Sequence, residues 1–299
     1  MTNCGPGGSG TESCCASLEV KGGTFYRAYD ADDAGTGSGE GGTGEADPAT
    51  VSGFRLDEYL VTVGRFRQFV AAWTGGYYPA SASGKHTHLN GGLGLENSGD
   101  PGTYETGWNV TWNTATNIDP TNGNLACGAP YATWTNTAGS QENLPISCVN
   151  WWESYAFCIW DGGFLPSEAE WEYAAAGGSL QREFPWGATA PGTANQYAIY
   201  GEYYTASPTY VAPVGYSSLG AGYWGQFDLA GEVWEWNLDW EALYATCTDC
   251  AYLTVTPTRM IAGGSFHDDV TTDLVPPLRF NDVPTRRYYD IGIRCARTP

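Results

Sequence analysis

The chain has 299 residues, of which 42% are hydrophobic, enough for a folded core and against wholesale disorder. Its 33 acidic residues outweigh 13 basic ones, for a formal net charge of −20. That balance excludes the positive footprint required by nucleic-acid backbones and anionic lipid surfaces, and no run of about 18 apolar residues offers a membrane span.

In chain order, residues 1–21 form a Cys- and Gly-rich arm ("MTNCGPGGSGTESCC" at its start). The arm lacks the basic and apolar regions of a secretory signal, so export would need a leader already removed. A single domain is expected over 22–299. Within it, the Gly-rich acidic stretch 30–50 reads as a flexible insertion by composition. "GFRLDEYLV" (53–61) alternates as a strand does. Thr62 can then cap a helix, "VGRFRQFVAAW", whose Val63, Phe66, Phe69 and Val70 share one face. The segment 75–147 is rich in Gly, Asn, Thr and Trp with no sustained period, and reads as long packed loops.

The centre is more regular. "VNWWESYAFCIWDGG" (149–163) predicts a short aromatic helix stopped by Gly162 and Gly163. "LPSEAEWEYAAAGG" (165–178) predicts a second, opened by a capping box of Ser167 with Glu170 and closed at Gly177 and Gly178. Beyond residue 184 the sequence predicts short strands between Gly, Pro and Asn. With 13 Trp and 20 Tyr, the expectation is an aromatic core that pins loops rather than layered sheets.

Nine cysteines are dense for a reduced cytosol and point to a secreted, extracellular or cell-surface protein held by disulfides, a bacterial envelope included. A zinc site at Cys247 and Cys250 would need a second ligand pair, and there are only three histidines. An odd count leaves at least one thiol free or bonded to another chain, which permits homo-assembly. Loop aromatics such as Trp108, Trp112, Tyr131 and Trp134 are candidates for stacking on a glycan, or for pinning the loops that carry them.

Several segments occur in a telling order: "LPISCVNWWESYAFCIWDGGFLPSEAEWEYAAAGG", "FPWG", "APVG", "GQFDLAGEVWEWNLDW", "AGGSF" and "IGIRCAR". The chain from about residue 22 to its end thereby resembles the formylglycine-generating enzyme (sulfatase-modifying factor) superfamily. The resemblance implies an α+β, C-type-lectin-like fold with few regular elements, stabilised by disulfides and calcium. It implies a bridge between Cys158 and Cys295, which would close a long loop. A second family bridge is absent at both ends, with Ala174 at one of its positions. Cys127 with Cys148 is then the next expected pair, and Cys4 with Cys14 or Cys15 a third.

The resemblance also implies a calcium site in the turn before "WEW", from the side chains of Asp228 and Glu235 and the carbonyls of Gly231 and Val233. Those are hard oxygen donors suited to calcium. A second family calcium site would begin near Asn195, but between 196 and 212 only Glu202 offers an acid, so that site is not expected.

The family's copper(I) chemistry uses two cysteines shortly after "GGS". Here those positions are Asp268 and Asp273, hard carboxylates that cannot replace a dithiolate. Copper is therefore not expected, although Trp234 and Ser265 still match pocket positions, and His267 would join them in the pocket. The sequence thus predicts an exported protein without formylglycine-generating activity, acting by binding or self-assembly. The competing expectation is an altered metal-dependent oxidoreductase, with His86 and His88 meeting His267 and its neighbouring aspartates in a mixed nitrogen and oxygen site.

Overall fold

The computed structural model describes residues 4, 13–27, 29, 47–207 and 209–299. The glycine-rich part of the predicted insertion, from 30 to 46, lies outside the described residues, as does most of the arm.

Among the described residues, four small sheets carry the fold. β1 (Ser17–Val20) pairs antiparallel with β4 (Phe54–Asp57), which pairs on its other edge with β12 (Ala296–Arg297). The two ends of the domain therefore close on one strand. This moves Ser17–Val20 out of the predicted arm and into the fold: the segment supplies four backbone partners to β4, and Val20 is buried. β2 (Gly23–Tyr26) pairs with β3 (Pro48–Val51), and β3 with the short β7 (Cys247–Thr248). The end of the predicted insertion is thus also a strand, its Ala49 and Val51 turned into the core.

The central sheet holds β10 (Arg279–Asp282), β9 (Arg259–Ala262), β6 (Trp234–Trp240) and β11 (Ile291–Gly292) in that order. Short strands were expected from 184 onward. The described residues from 184 to 233 form turns and two isolated bridges, Phe184 with Gly187 and Ile199 with Gly231, and regular pairing resumes only at Trp234. Glycine, proline and asparagine in that stretch favour turns over extended pairing.

α1 (Val63–Thr74) starts where the Thr62 side chain accepts a hydrogen bond from the Arg65 N–H. Its Val63, Phe66 and Phe69 are buried, and Phe66 and Phe69 pack on Phe157 of α3 (Trp151–Trp160). α3 has a capping box, Asn150 with Glu153, that the sequence reading passed over. α4 (Glu168–Ala175) has the expected one, Ser167 with Glu170. The segment 75–147 is almost all loop, with β5 (Glu96–Asn97), paired to β8 (Cys250–Ala251), one turn of α-helix, α2 (Asn122–Leu125), and short 3-10 turns at Asn90–Gly92 and Val110–Trp112.

Irregular backbone on this scale stays folded because large rings fill the space between segments. Trp108, Trp112, Trp151 and Tyr155 meet edge to face or tilted at centroid separations of 5.2–5.7 Å. Disulfides add constraint at Cys4–Cys14, Cys127–Cys148, Cys158–Cys295 and Cys247–Cys250. The last turns the cysteines considered for zinc into a bridge between neighbouring strands. Cys15 is free and exposed.

Candidate functional site

β9 runs into Gly263 and Gly264, both at positive φ. At Gly264 a Cβ would collide with the Asp273 carbonyl, so this close approach requires glycine. The chain then turns back on itself. Ser265 is fully buried, and its N–H and hydroxyl both donate to Asp268 Oδ2 at 2.7 Å, while the His267 N–H donates to Ser265 Oγ at 3.2 Å. A neighbouring loop is stitched on through Gly201 N–H to the Asp268 carbonyl and Glu202 N–H to the Phe266 carbonyl, each 2.8 Å.

The fold gathers carboxylates around this turn. Asp273 is half-buried near Asp268 and Asp269; burial first, then those charges, push it up to about 6. Asp290 rises to about 7 through burial and Asp268, with His267 acting in the opposite direction. The His267 ring places Nδ1 2.8 Å from Glu202 Oε1 and packs near Tyr131, Phe266 and Tyr289. Trp234, nearly buried, meets the half-exposed Phe280 edge to face at 5.3 Å. The predicted pocket residues Trp234, Ser265 and His267 thus lie on or beside one turn. Their polar partners are oxygens: Ser265 holds Asp268, His267 meets Glu202, and the Trp234 N–H donates to the Asp290 carbonyl.

The three histidines do not converge. His86 is fully buried, with Nδ1 3.0 Å from Glu105 Oε1 and Nε2 3.1 Å from Glu170 Oε2. Burial alone would lower its pKa, but the two carboxylates outweigh it and push the imidazole to about 10. Both nitrogens of an imidazolium so held are committed, which removes them as metal ligands. His88 is half-buried with both ring nitrogens unpartnered, and burial holds it below the ordinary histidine value. His86 and His88 flank Phe164, at ring separations of 3.8 and 5.7 Å, whereas His267 sits among different partners. Among the described residues no group of three His, Cys, Asp or Glu is arranged to hold a metal ion.

The turn before β6 was the expected calcium site. Left-handed backbone at Asp228, Gly231 and Glu232 shapes it, and a Cβ at Gly231 would collide with the Ile199 carbonyl. Asp228 fits a hard cation: it is buried, Oδ2 accepts from the Gly215 N–H at 2.7 Å, and Oδ1 has no partner. Glu235 does not fit. Both its oxygens accept from Arg294, at 3.0–3.1 Å, and Oε2 also accepts from the Trp171 indole at 2.8 Å. Arg294 is fully buried and donates as well to the carbonyls of Phe227 and Asp228. An internal guanidinium therefore occupies the electrostatic role that the resemblance assigned to an ion beside Glu235.

Sequence reasoning missed Glu232. It is buried, Oε2 accepts from the Ala212 N–H at 3.2 Å, and Oε1 has no partner. Burial and the nearby Asp228 raise it well above the usual carboxylate value, and burial raises Asp228 to about 6. The side-chain oxygens with room in this turn belong to Asp228, which the resemblance named, and to Glu232, which it did not.

The comparisons with known proteins agree with the fold. The family described as "Sulfatase-modifying factor enzyme 1-like domain" matches residues 6–299. The chain belongs to this family. It is 27% identical to a formylglycine-generating enzyme of Thermomonospora curvata, over 94% of this chain and 93% of that protein. It is 29% identical to the mouse protein named inactive C-alpha-formylglycine-generating enzyme 2, over 74% of this chain and 68% of the other. Among solved structures, PvdO from Pseudomonas aeruginosa superposes with a TM-score of 0.62 at 21% identity, covering 95% of this chain and 94% of that one. Treponema denticola variable protein 1 does so at 0.58 and 18%, covering 95% of each. These two show the shared fold.

Proposed function

We propose that this sulfatase-modifying-factor-like domain lacks formylglycine-generating activity and serves outside the cytosol as a binding or self-assembling protein. One observation carries the reading: Asp268, which with Asp273 takes a position that the family resemblance assigns to a catalytic thiol, is spent holding the Ser265 N–H and hydroxyl. Carboxylates bind copper(I) poorly, and a carboxylate cannot be cycled through thiolate oxidation chemistry. Support also comes from a relative of the same family being named inactive. The four disulfides support an oxidising location. Calcium enters this proposal only as a stabiliser, at the unpartnered oxygens of Asp228 and Glu232.

The test is direct. Purified protein is given copper(I), oxygen and a cysteine peptide that a formylglycine-generating relative converts, and the peptide is weighed by mass spectrometry. The expected result is unchanged peptide beside full conversion by the relative. Turnover by this chain would overturn the reading. Light scattering on the same sample then separates assembly from ligand binding by a lone chain.

A further inference from the structure

Across the central sheet, and built from residues outside the Gly-Gly-Ser turn, lies a cavity of about 280 Å³. Its walls are aromatic: Trp112, Trp151, Tyr155 and Trp240 line it, with Glu105 and Arg259 as its charged groups. Arg259 is the first residue of β9 and is 4% exposed. Its guanidinium carbon lies 3.6 Å from the ring centroids of both Trp151 and Trp240, which cover its two faces. Nη1 donates to the Leu238 carbonyl, and Nε is buried with no acceptor.

The contrast with the other buried arginines is chemical. Arg27, Arg65, Arg279 and Arg294 each form an ion pair with a carboxylate. Arg259 has none among the described residues. The nearest carboxylate influence is Asp239, whose two oxygens are already engaged by the N–H groups of Glu168 and Tyr252. Stacking on indoles stabilises a cation from its faces but leaves the in-plane donors unsatisfied. A buried donor without an acceptor costs free energy, and a bound anion would recover it.

We infer that this cavity is a binding site for a small carboxylate carrying a single ring, with the carboxylate on Arg259 and the ring against the indoles. The size sits at the lower end of small-molecule pockets, suited to one ring rather than a chain of them. A single arginine without a second lining cation suits one negative charge, and the chain's net charge of −20 disfavours polyanions such as nucleotides. Glu105 Oε1 accepts from the N–H groups of His86 and Leu95 and from the His86 ring, while Oε2 meets that ring alone and keeps room to accept from a hydroxyl or ammonium on the ligand's ring. Because the cavity shares no residue with the Gly-Gly-Ser turn, this inference stands independently of whether that turn is catalytic.

Two sources of such a ligand, a sugar acid and an aromatic acid, share this chemistry and are separated by the test. Titration of the protein with glucuronate, phenylacetate, glucose and phenylethanol, followed by indole fluorescence and calorimetry, gives four affinities. At least one acid should bind roughly tenfold or more tightly than its neutral counterpart, the size expected for a charge-assisted hydrogen bond; which acid wins names the source. Val255→Trp changes a 75% exposed rim residue. It should block binding without affecting thermal stability, and Arg259→Gln should abolish the preference for the acid. If neither acid is preferred over its neutral counterpart, or if Val255→Trp leaves the affinity of the preferred acid unchanged, the inference is wrong.

Discussion

His86 Nε2 lies 3.1 Å from Glu170 Oε2, the same oxygen that accepts the Ser167 N–H at the start of α4. One carboxylate thus joins the helix cap to a loop 84 residues earlier in sequence, through an imidazolium that Glu105 holds from its other side. The loop segment 75–147 has little regular structure to anchor it, and this buried charged trio is one of its main ties to the helical centre.

The pH dependence follows from the sign of the shift. His86 in the folded chain is raised to about 10 against an ordinary value of 6.5. Its contribution is therefore fully present below pH 6.5 and is lost as pH rises toward 10. His86→Gln should cost about 3–5 kcal/mol near neutral pH, the penalty for breaking a buried pair. The gap between the two proteins should narrow as pH approaches 10. Thermal melts of both from pH 6 to 10 would check it, and a constant gap would refute the imidazolium.

A second buried pair makes a different prediction. Arg294 satisfies both oxygens of Glu235 and, through the Asp228 carbonyl, supports the neighbouring turn. Removing the guanidinium alone, as in Arg294→Gln, strands a buried carboxylate and should cost about 3–5 kcal/mol. Adding Glu235→Gln to that variant should restore part of the loss, because the stranded charge goes with it. A double-mutant cycle by denaturant unfolding would show this coupling; additive losses would mean that the pair is not coupled.

How much of this was legible in the sequence differs by kind of signal. The helices were readable because their caps are local: Thr62, Ser167 and Glu170 mark their own ends. The strand at Ser17–Val20 was not, because its partner Phe54–Asp57 lies beyond a glycine-rich stretch and four residues carry too little period. The family resemblance placed Asp268 and Asp273 at the turn, since that depends on aligned neighbours. It did not name Arg294 as the partner of Glu235, because a motif names residues and says nothing of the arginine that long-range folding brings to them. Arg259 and its two indoles were invisible for the same reason: they come from α3, β6 and β9, and only the three-dimensional packing makes them one feature.

The Cys158–Cys295 disulfide crosses 137 residues and ties α3 beside the last strand, next to the Phe164–Ala296 bridge. By chain entropy such a loop is worth about 4–5 kcal/mol. Replacing both cysteines with alanine should lower the melting temperature by on the order of 10 °C, at roughly 2–4 °C per kcal/mol for a domain of this size. Both side chains are fully buried, so the loss should exceed that from opening Cys247–Cys250, which spans three residues with Cys247 partly exposed. Calorimetry of the two double variants would rank them, and the reverse order would count against the entropic account.

Glu232 offers the sharpest test of the turn before β6. Its Oε1 and Asp228 Oδ1 are both buried without partners, two acids sharing one low-dielectric space. Such a pair is held at a cost unless a proton or a cation lies between them. Glu232→Gln keeps an oxygen for the Ala212 N–H and removes one charge. In calcium-free buffer at neutral pH it should therefore be as stable as the parent or more so, by about 1 kcal/mol, the usual scale of a relieved buried polar group. Millimolar calcium should raise the melting temperature of the parent and do much less for the variant, because the variant lacks one of the two carboxylates a hard cation would use. Should calcium stabilise both proteins equally, the ion binds elsewhere. If Glu232→Gln instead destabilises the calcium-free protein, the two acids are not in conflict, and the turn is closed by Arg294 alone.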